Sequence, residues 1–135
     1  MLVERYSVAG RQPELRSGTF TGRAWLERVL TAEGVGVNSV FFEPGSRTYW
    51  HRHGGGQLLL VSSGQGLVAT RAGDGRVVRP GDVVHAPSGE EHWHGASPGA
   101  YLAHTAISLG EVEWLEEVDP AQYQATWDAA SAAER

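Results

Sequence analysis

Glycine and proline interrupt this chain at short intervals, which restricts most of it to short extended segments joined by tight turns. The 135 residues include 18 Gly and 6 Pro, and turn sequences occur at residues 43–46, 72–75 and 80–82. Between the turns lie runs rich in β-branched, aromatic and aliphatic side chains, which favour strands. About nine such strands are predicted between residues 20 and 109, a number typical of an all-β barrel or sandwich.

The C-terminal segment has the signals of a helix. Asp119 suits the N-cap, Pro120 suits the first helical position, and an Ala-rich sequence follows. A short C-terminal helix is therefore predicted over about residues 120–133. Tyr123 and Trp127 are four residues apart, so they would share one face, packed on the barrel or on a partner subunit.

The rest of the chain indicates one domain. Residues 1–19 are polar and predict an irregular N-terminal arm with one edge strand. The barrel core is expected at about residues 35–110, and neither a linker nor a composition break divides it from the ends. Residues 1–135 are thus expected to form a single domain.

Composition excludes several classes of function. The chain has no Cys, so any metal must take nitrogen or oxygen ligands rather than thiolates. The net charge is −5 and no basic stripe occurs, which argues against nucleic acid or an anionic membrane as the partner. No run of apolar residues has the length of a membrane span, and the N-terminus lacks an apolar signal core. A cytoplasmic location is expected.

Four side chains form a candidate metal site. His51 and His53 are two residues apart in a predicted strand, so both rings point to one face. With Gln57 and His92 they offer three imidazole nitrogens and one amide oxygen to a divalent transition metal. Four protein ligands leave room on an octahedral ion for water or a substrate, and an open position is typical of a reactive site rather than a structural one.

Two segments carry a family resemblance. Residues 45–53, followed by Gln57 and Gly64, resemble the first sequence motif of the cupin superfamily, and residues 81–92 resemble the second. The resemblance covers about residues 38–110 and implies a cupin double-stranded β-helix barrel of the jelly-roll type. Residue by residue, it implies these metal ligands: His51, His53, Gln57 and His92.

Gln57 departs from the usual cupin pattern, in which this position is Glu. A neutral amide leaves the bound metal one unit more positive than a carboxylate would, which makes it a stronger Lewis acid and disfavours its higher oxidation state. The departure narrows the resemblance to small bacterial cupins that include manganese-dependent hydroxynitrile lyases, over about residues 20–123. That resemblance implies manganese. By ligand chemistry alone the site would also accept iron, zinc, nickel or cobalt.

The same resemblance implies roles for further residues. His104 matches the acid/base histidine proposed for those lyases, His94 matches another pocket histidine, and Thr48 matches a pocket hydroxyl. The substrate pocket is implied to be lined by three further residues: Asn38, Val40 and Ser108. Asn38 and Ser108 are more polar than the residues expected there, which indicates a different substrate.

The leading functional hypothesis is a metal-dependent lyase that cleaves a small hydroxy compound such as a cyanohydrin, with the metal as Lewis acid and histidine as acid/base. One alternative is an iron- or manganese-dependent dioxygenase, since the same ligands leave an open position. Another is a non-enzymatic module that binds a small molecule.

Trp50 and Trp93 alternate with the ligands and should face away from the metal, which predicts an apolar exterior and a homodimer or higher homo-oligomer.

Overall fold

The computed structural model describes residues 1–6 and 12–134. Residues 7–11 of the predicted N-terminal arm and Arg135 lie outside the described residues. One helix, α1, spans Pro120–Ala133. The strands follow in chain order: β1 (Glu14–Leu15), β2 (Phe20–Thr21), β3 (Ala24–Ala32), β4 (Val35–Phe42), β5 (Arg47–Thr48), β6 (His51–His53), β7 (Gly56–Gly64), β8 (Gly66–Thr70), β9 (Gly75–Val78), β10 (Val83–Ala86), β11 (His92–Ala96), β12 (Leu102–Leu109) and β13 (Val112–Trp114).

The strands form two antiparallel sheets. The first contains six strands in the order β1-β3-β4-β12-β7-β10. The second contains β13-β6-β11-β5-β2, and β8 and β9 extend it through the pairing of β8 with β11. This confirms the predicted all-β architecture with a short C-terminal helix. Between residues 20 and 32 the chain forms two strands, β2 and β3, and β3 continues past an irregular register between Arg28 and Leu30.

Strand phase places one face of each sheet in the interior. On β12 the side chains of Leu102, His104 and Ala106 are buried, while their neighbours along the strand are less so. His104 lies opposite Val40 on β4 and opposite Val61 on β7. An inner strand of the first sheet therefore presents His104 to the space between the sheets.

Trp50 and Trp93 face away from the candidate metal ligands, as predicted, but they do not form an exposed surface. Both are buried, at 3% and 0% exposure, in a cluster that includes Tyr123 and Ala130 of α1. The expectation that these two tryptophans make an apolar exterior was wrong, because α1 packs over them. The hydroxyl of Tyr123 donates to the carbonyl oxygen of Ala96 at 2.6 Å, which ties the helix to β11.

The predicted start of the helix is confirmed. Asp119 is the N-cap and accepts a hydrogen bond from the backbone N–H of Gln122 at 2.8 Å, and proline occupies the first turn. In the N-terminal arm, β1 pairs with β3 at the edge of the first sheet. None of the described helices is both long and apolar enough to cross a membrane. The prediction of a single domain over residues 1–135 stays a prediction.

Candidate functional site

Three histidines converge between the two sheets. One ring nitrogen from each of His51, His53 and His92 lies within 4.8 Å of the other two, and all three residues are buried. His51 and His53 come from β6, and His92 lies directly across from His51 on β11. Side chains alternate between the two faces of β6, so His51 and His53 share the inner face, and the cross-strand pairing adds His92 beside them.

Backbone carbonyls fix the orientation of two of these rings. Nδ1–H of His51 donates to the carbonyl oxygen of Tyr49 at 2.9 Å, and Nδ1–H of His92 donates to that of Glu90 at 3.0 Å. A neutral imidazole carries one N–H, so Nε2 of both rings is left as a lone pair. Both ring nitrogens of His53 are buried and have no hydrogen-bond partner among the residues that the structure describes.

Gln57 completes a set of four donors. Its amide Nε2 donates to Oγ of Ser108 at 2.9 Å, which turns the amide oxygen Oε1 toward His92, 3.0 Å from its Nε2. A hydrogen bond between these last two atoms would need a second proton on His92. Two acceptors at this separation in a buried space repel each other unless a cation lies beside both. The donor set therefore fits a divalent metal.

Burial also favours the metal-binding form of the imidazoles. The pKa of His53 is lowered to about 4, first by burial and then by His92 nearby. The pKa of His51 is lowered well below its usual value, mainly by burial and also by His92, and burial lowers the pKa of His92 as well. All three rings are neutral near pH 7, as coordination requires.

A second histidine pair lies beside this cluster. Nε2 of His104 is 3.1 Å from Nδ1 of His94, and both rings are buried. Burial lowers the pKa of His104 to about 4. The pKa of His94 lies well below its usual value, first because the ring is buried and second because a proton on it would be repelled by one on His104. Nε2 of His94 has no hydrogen-bond partner in residues 1–6 and 12–134. The backbone N–H of His94 donates to Oγ1 of Thr48 at 3.2 Å, so the Thr48 hydroxyl retains its own proton for another acceptor.

A cavity of about 350 Å³ opens on these groups, and we call it the histidine cavity. Its lining includes most of the residues that the sequence had singled out: Asn38, Val40, Thr48, His51, His53, Gln57, His94 and Ser108. His104 and His92 stand behind this lining, in contact with His94 and Gln57 respectively. The volume suits a small organic molecule rather than a polymer.

Sequence reasoning missed other residues that line this cavity, among them Arg16, Arg28 and Trp114. Trp114 packs on His51 with ring centroids 4.7 Å apart. Arg28 shares the inward phase of Leu26 on β3, and this alternation was the signal that could have identified it. Arg16 lies in the arm before β2, where no periodic pattern indicates which side chains face the interior.

A larger cavity of about 660 Å³ also reaches His92 and is lined by residues of β8, β9, β10 and the end of α1. Its lining includes several exposed acidic groups, among them Asp74 and Asp82. It contains one of the four candidate ligands, whereas the histidine cavity exposes three of them together with His94. The smaller histidine cavity, rather than the larger one, is therefore the candidate functional site.

The family follows from the comparison of this chain with known proteins. The model of the cupin domain matches residues 38–105, about half of the chain, and the match includes all four candidate ligands. The chain belongs to the cupin family. This cupin is 40% identical to the (R)-mandelonitrile lyase of Granulicella tundricola in an alignment of 112 residues. The alignment covers 78% of this chain and 86% of that protein.

Solved structures show the same fold. A cupin-like protein from Thermotoga maritima is 38% identical to this cupin, with a TM-score of 0.82 over 90% of this chain and 97% of that chain. The polyketide cyclase RemF from Streptomyces resistomycificus is 16% identical, with a TM-score of 0.72 over 96% of this chain and 99% of that chain. At this low identity, the similarity to RemF shows a shared fold and nothing about function.

Proposed function

We propose that this cupin is a metal-dependent lyase that cleaves a small hydroxy compound such as a cyanohydrin. The observation that carries the proposal is the amide oxygen of Gln57 held against the lone pair of His92, beside two further imidazoles. The identity to an (R)-mandelonitrile lyase over most of both chains supports it. Manganese is the proposed metal, and iron, cobalt, nickel and zinc suit the same donors.

A divalent ion held by His51, His53, Gln57 and His92 would supply Lewis acidity to the hydroxyl oxygen of the substrate. The neutral Gln57 side chain adds no negative charge, so the ion keeps its full positive charge toward that oxygen. The Ser108 hydroxyl keeps the amide in this orientation by accepting from its Nε2. Ser108 is thus a positioning residue for the fourth ligand.

The proton is moved by the His94–His104 pair. Both rings are neutral near pH 7, so Nε2 of His94 can take the hydroxyl proton when Nδ1 carries the ring's own proton. As the proton leaves, the carbon–carbon bond to the nitrile breaks, its electron pair departs with cyanide, and a carbonyl compound forms. Return of the proton from His94 to cyanide gives hydrogen cyanide and restores the pair.

The test is cleavage of mandelonitrile by the manganese-loaded protein, followed as benzaldehyde release. We expect a rate well above that of the H104A variant and above that of chelator-treated protein. A rate no higher than that of chelator-treated protein would exclude the lyase function. Oxygen uptake with Fe(II) and an aromatic or diketone substrate would then favour a dioxygenase, and binding of benzaldehyde without turnover of mandelonitrile would favour a binding module.

We also propose a homodimer. Its interface is the outer face of the six-stranded sheet, whereas the expected surface was that of Trp50 and Trp93. The outward-facing side chains of the six-stranded sheet are apolar and exposed at Phe41 (39%), Leu60 (40%) and Val83 (65%), and Phe41 stacks on Tyr101 at 5.3 Å between ring centroids. A sheet face of this kind is typical of an interface between copies.

Light scattering coupled to gel filtration tests the dimer. We expect a dimer for the unmodified chain and a monomer for L60E. The matched control is A121E, an exposed substitution in the first turn of α1, which should leave the mass unchanged. A monomer for the unmodified chain would contradict this interface.

A further inference from the structure

Two arginines stand at the histidine cavity, and the carboxylate of Glu14 that pairs with both lies beyond hydrogen-bond distance of either. Arg16 and Arg28 are both part of its lining. Arg28 lies opposite Asn38 on the inward face of the first sheet, and Asn38 in turn lies opposite Ala106, so the arginine continues a row of cavity residues. The backbone N–H of Arg16 donates to the carbonyl oxygen of Ala24 at 2.8 Å, which holds the arm against β3.

The charge of these two groups is only weakly compensated. Among the described residues that line the cavity, none is acidic. The nearest carboxylate in the ion pairs is that of Glu14, whose Oε2 is 3.8 Å from Nη1 of Arg16 and 3.9 Å from Nη2 of Arg28, beyond hydrogen-bond distance. Nε of Arg16 is buried, and no described residue accepts a hydrogen bond from it.

Arginines elsewhere on the surface are paired more tightly. Arg23 donates to Glu43 at 2.8 Å, Arg52 donates to Glu113 at 2.9 Å, and Arg71 donates to Glu91 at 2.9 Å. A guanidinium keeps its charge at any working pH and offers five N–H donors in a fork. At the cavity the longer distances from Arg16 and Arg28 to Glu14 leave guanidinium N–H groups for a ligand. Because Arg16 and Arg28 both approach the same Glu14 oxygen, they converge closely enough to meet one anionic group.

We propose that Arg16 and Arg28 form a carboxylate-binding subsite at the rim of the histidine cavity. The proposal rests on the lyase function and names its substrate class: a small hydroxy or carbonyl compound whose oxygen meets the metal end and whose carboxylate meets the two arginines. Phe20 lines the cavity next to Arg16, with the guanidinium carbon 5.9 Å from the ring centroid. An apolar body between the two polar ends of the substrate would pack on this ring.

The first experiment measures binding, independently of turnover. The probes are 4-formylbenzoate and benzaldehyde, which share a ring and a carbonyl group and differ in the carboxylate. By calorimetry with the manganese-loaded protein, we expect 4-formylbenzoate to bind at least about tenfold more tightly. The preference should shrink to within about twofold in R16Q/R28Q, while the affinity for benzaldehyde stays the same.

Two controls distinguish the loss of positive charge at the cavity from a general effect of substitution on folding. R23Q removes an exposed arginine that is paired with Glu43 outside the cavity, and it should keep the full preference. Raising the salt concentration on the unmodified protein gives a second measurement that does not depend on a variant, and it should reduce the preference. Equal binding of both probes, or a preference that survives R16Q/R28Q, overturns the subsite.

Turnover distinguishes failure of the subsite from failure of the lyase. The substrates are mandelonitrile and 4-carboxymandelonitrile, and we expect the higher kcat/KM for the second through a lower KM. Cleavage of both with equal KM overturns the subsite and leaves the lyase standing. Tighter binding of 4-formylbenzoate with cleavage of neither nitrile overturns the lyase and leaves the subsite standing.

Discussion

His104 stands directly behind His94, with 3.1 Å between Nε2 of the first and Nδ1 of the second. Two neutral rings at this distance share one proton, and its position determines whether the far nitrogen of His94 is a lone pair or an N–H. His94 lines the histidine cavity, whereas His104 has 1% exposure and lies against Phe42. The pair can therefore accept a proton at the cavity and return it.

Replacement of His104 by Phe tests this relay. The ring of Phe42 lies 5.4 Å from that of His104, so an added aromatic side chain meets an apolar neighbour. We expect kcat for mandelonitrile cleavage to fall by about 10²–10⁴-fold, the range for loss of general acid–base catalysis. Manganese content should not change, since the proposed metal ligands are other residues. H85N, a change at an exposed histidine, serves as the control, and unchanged kcat in H104F would exclude His104 from proton transfer.

Acid should destabilise the metal-free protein through its buried histidines. The pKa of His104 is lowered by burial from 6.5 to about 4 in the folded protein. The unfolded chain therefore binds a proton at this residue between pH 6.5 and pH 4, and the folded protein does not. The free energy of unfolding is unaffected by His104 above that range and falls as pH drops through it, by at most ~1.4 kcal/mol per pH unit.

Urea unfolding at several pH values in the presence of chelator measures this slope. Carboxylates also contribute below pH 5, so the informative quantity is the difference between the unmodified protein and H104F, whose slope should be shallower by up to one proton. Identical slopes for the two proteins would mean that His104 titrates normally in the folded state.

Metal binding should stabilise the fold. A metal at about 100 times its Kd adds ~2.7 kcal/mol to the free energy of unfolding, which corresponds to roughly 10 °C in Tm for a domain of this size. Manganese should produce this shift, and magnesium should not, because imidazole suits Mn²⁺ better than Mg²⁺. The shift should vanish in H53A, which removes a buried ring with two unpartnered nitrogens within the described part of the chain. An equal shift in H53A would place the metal elsewhere.

Gln57→Glu tests whether the neutral amide matters. The carboxylate can accept from the Ser108 hydroxyl, so the geometry is preserved while the charge changes. We expect tighter manganese binding and a fall in kcat of about tenfold or more, because a less positive ion polarises the substrate oxygen less. S108A keeps the charge and removes the hydrogen bond, and it should reduce kcat less than Q57E. Higher kcat in Q57E would contradict the Lewis-acid mechanism.

The phase of short strands made much of the site predictable. An alternation of two is enough to place His51 and His53 on one face, and the same rule places His104 and Ala106 in the interior. The C-terminal helix followed from Asp119 and Pro120 as N-cap and first residue. These features depend on local sequence, which is why they could be predicted.

The remaining features depend on contacts between distant segments. Trp50 and Trp93 lie on the outer side of their strands, but only the return of α1 across that surface decides that they are buried. The convergence of Arg16 with Arg28 likewise requires the N-terminal arm to lie along β3. Neither arrangement leaves a periodic signal in the sequence.

Diffraction from manganese-loaded crystals, recorded on both sides of the manganese absorption edge, shows whether a metal binds at these residues. We expect one strong anomalous peak bonded to His51, His53, Gln57 and His92, with at least one coordination position open to the histidine cavity. Absence of a peak among these four side chains, or an ion enclosed by protein ligands on all sides, would contradict this expectation.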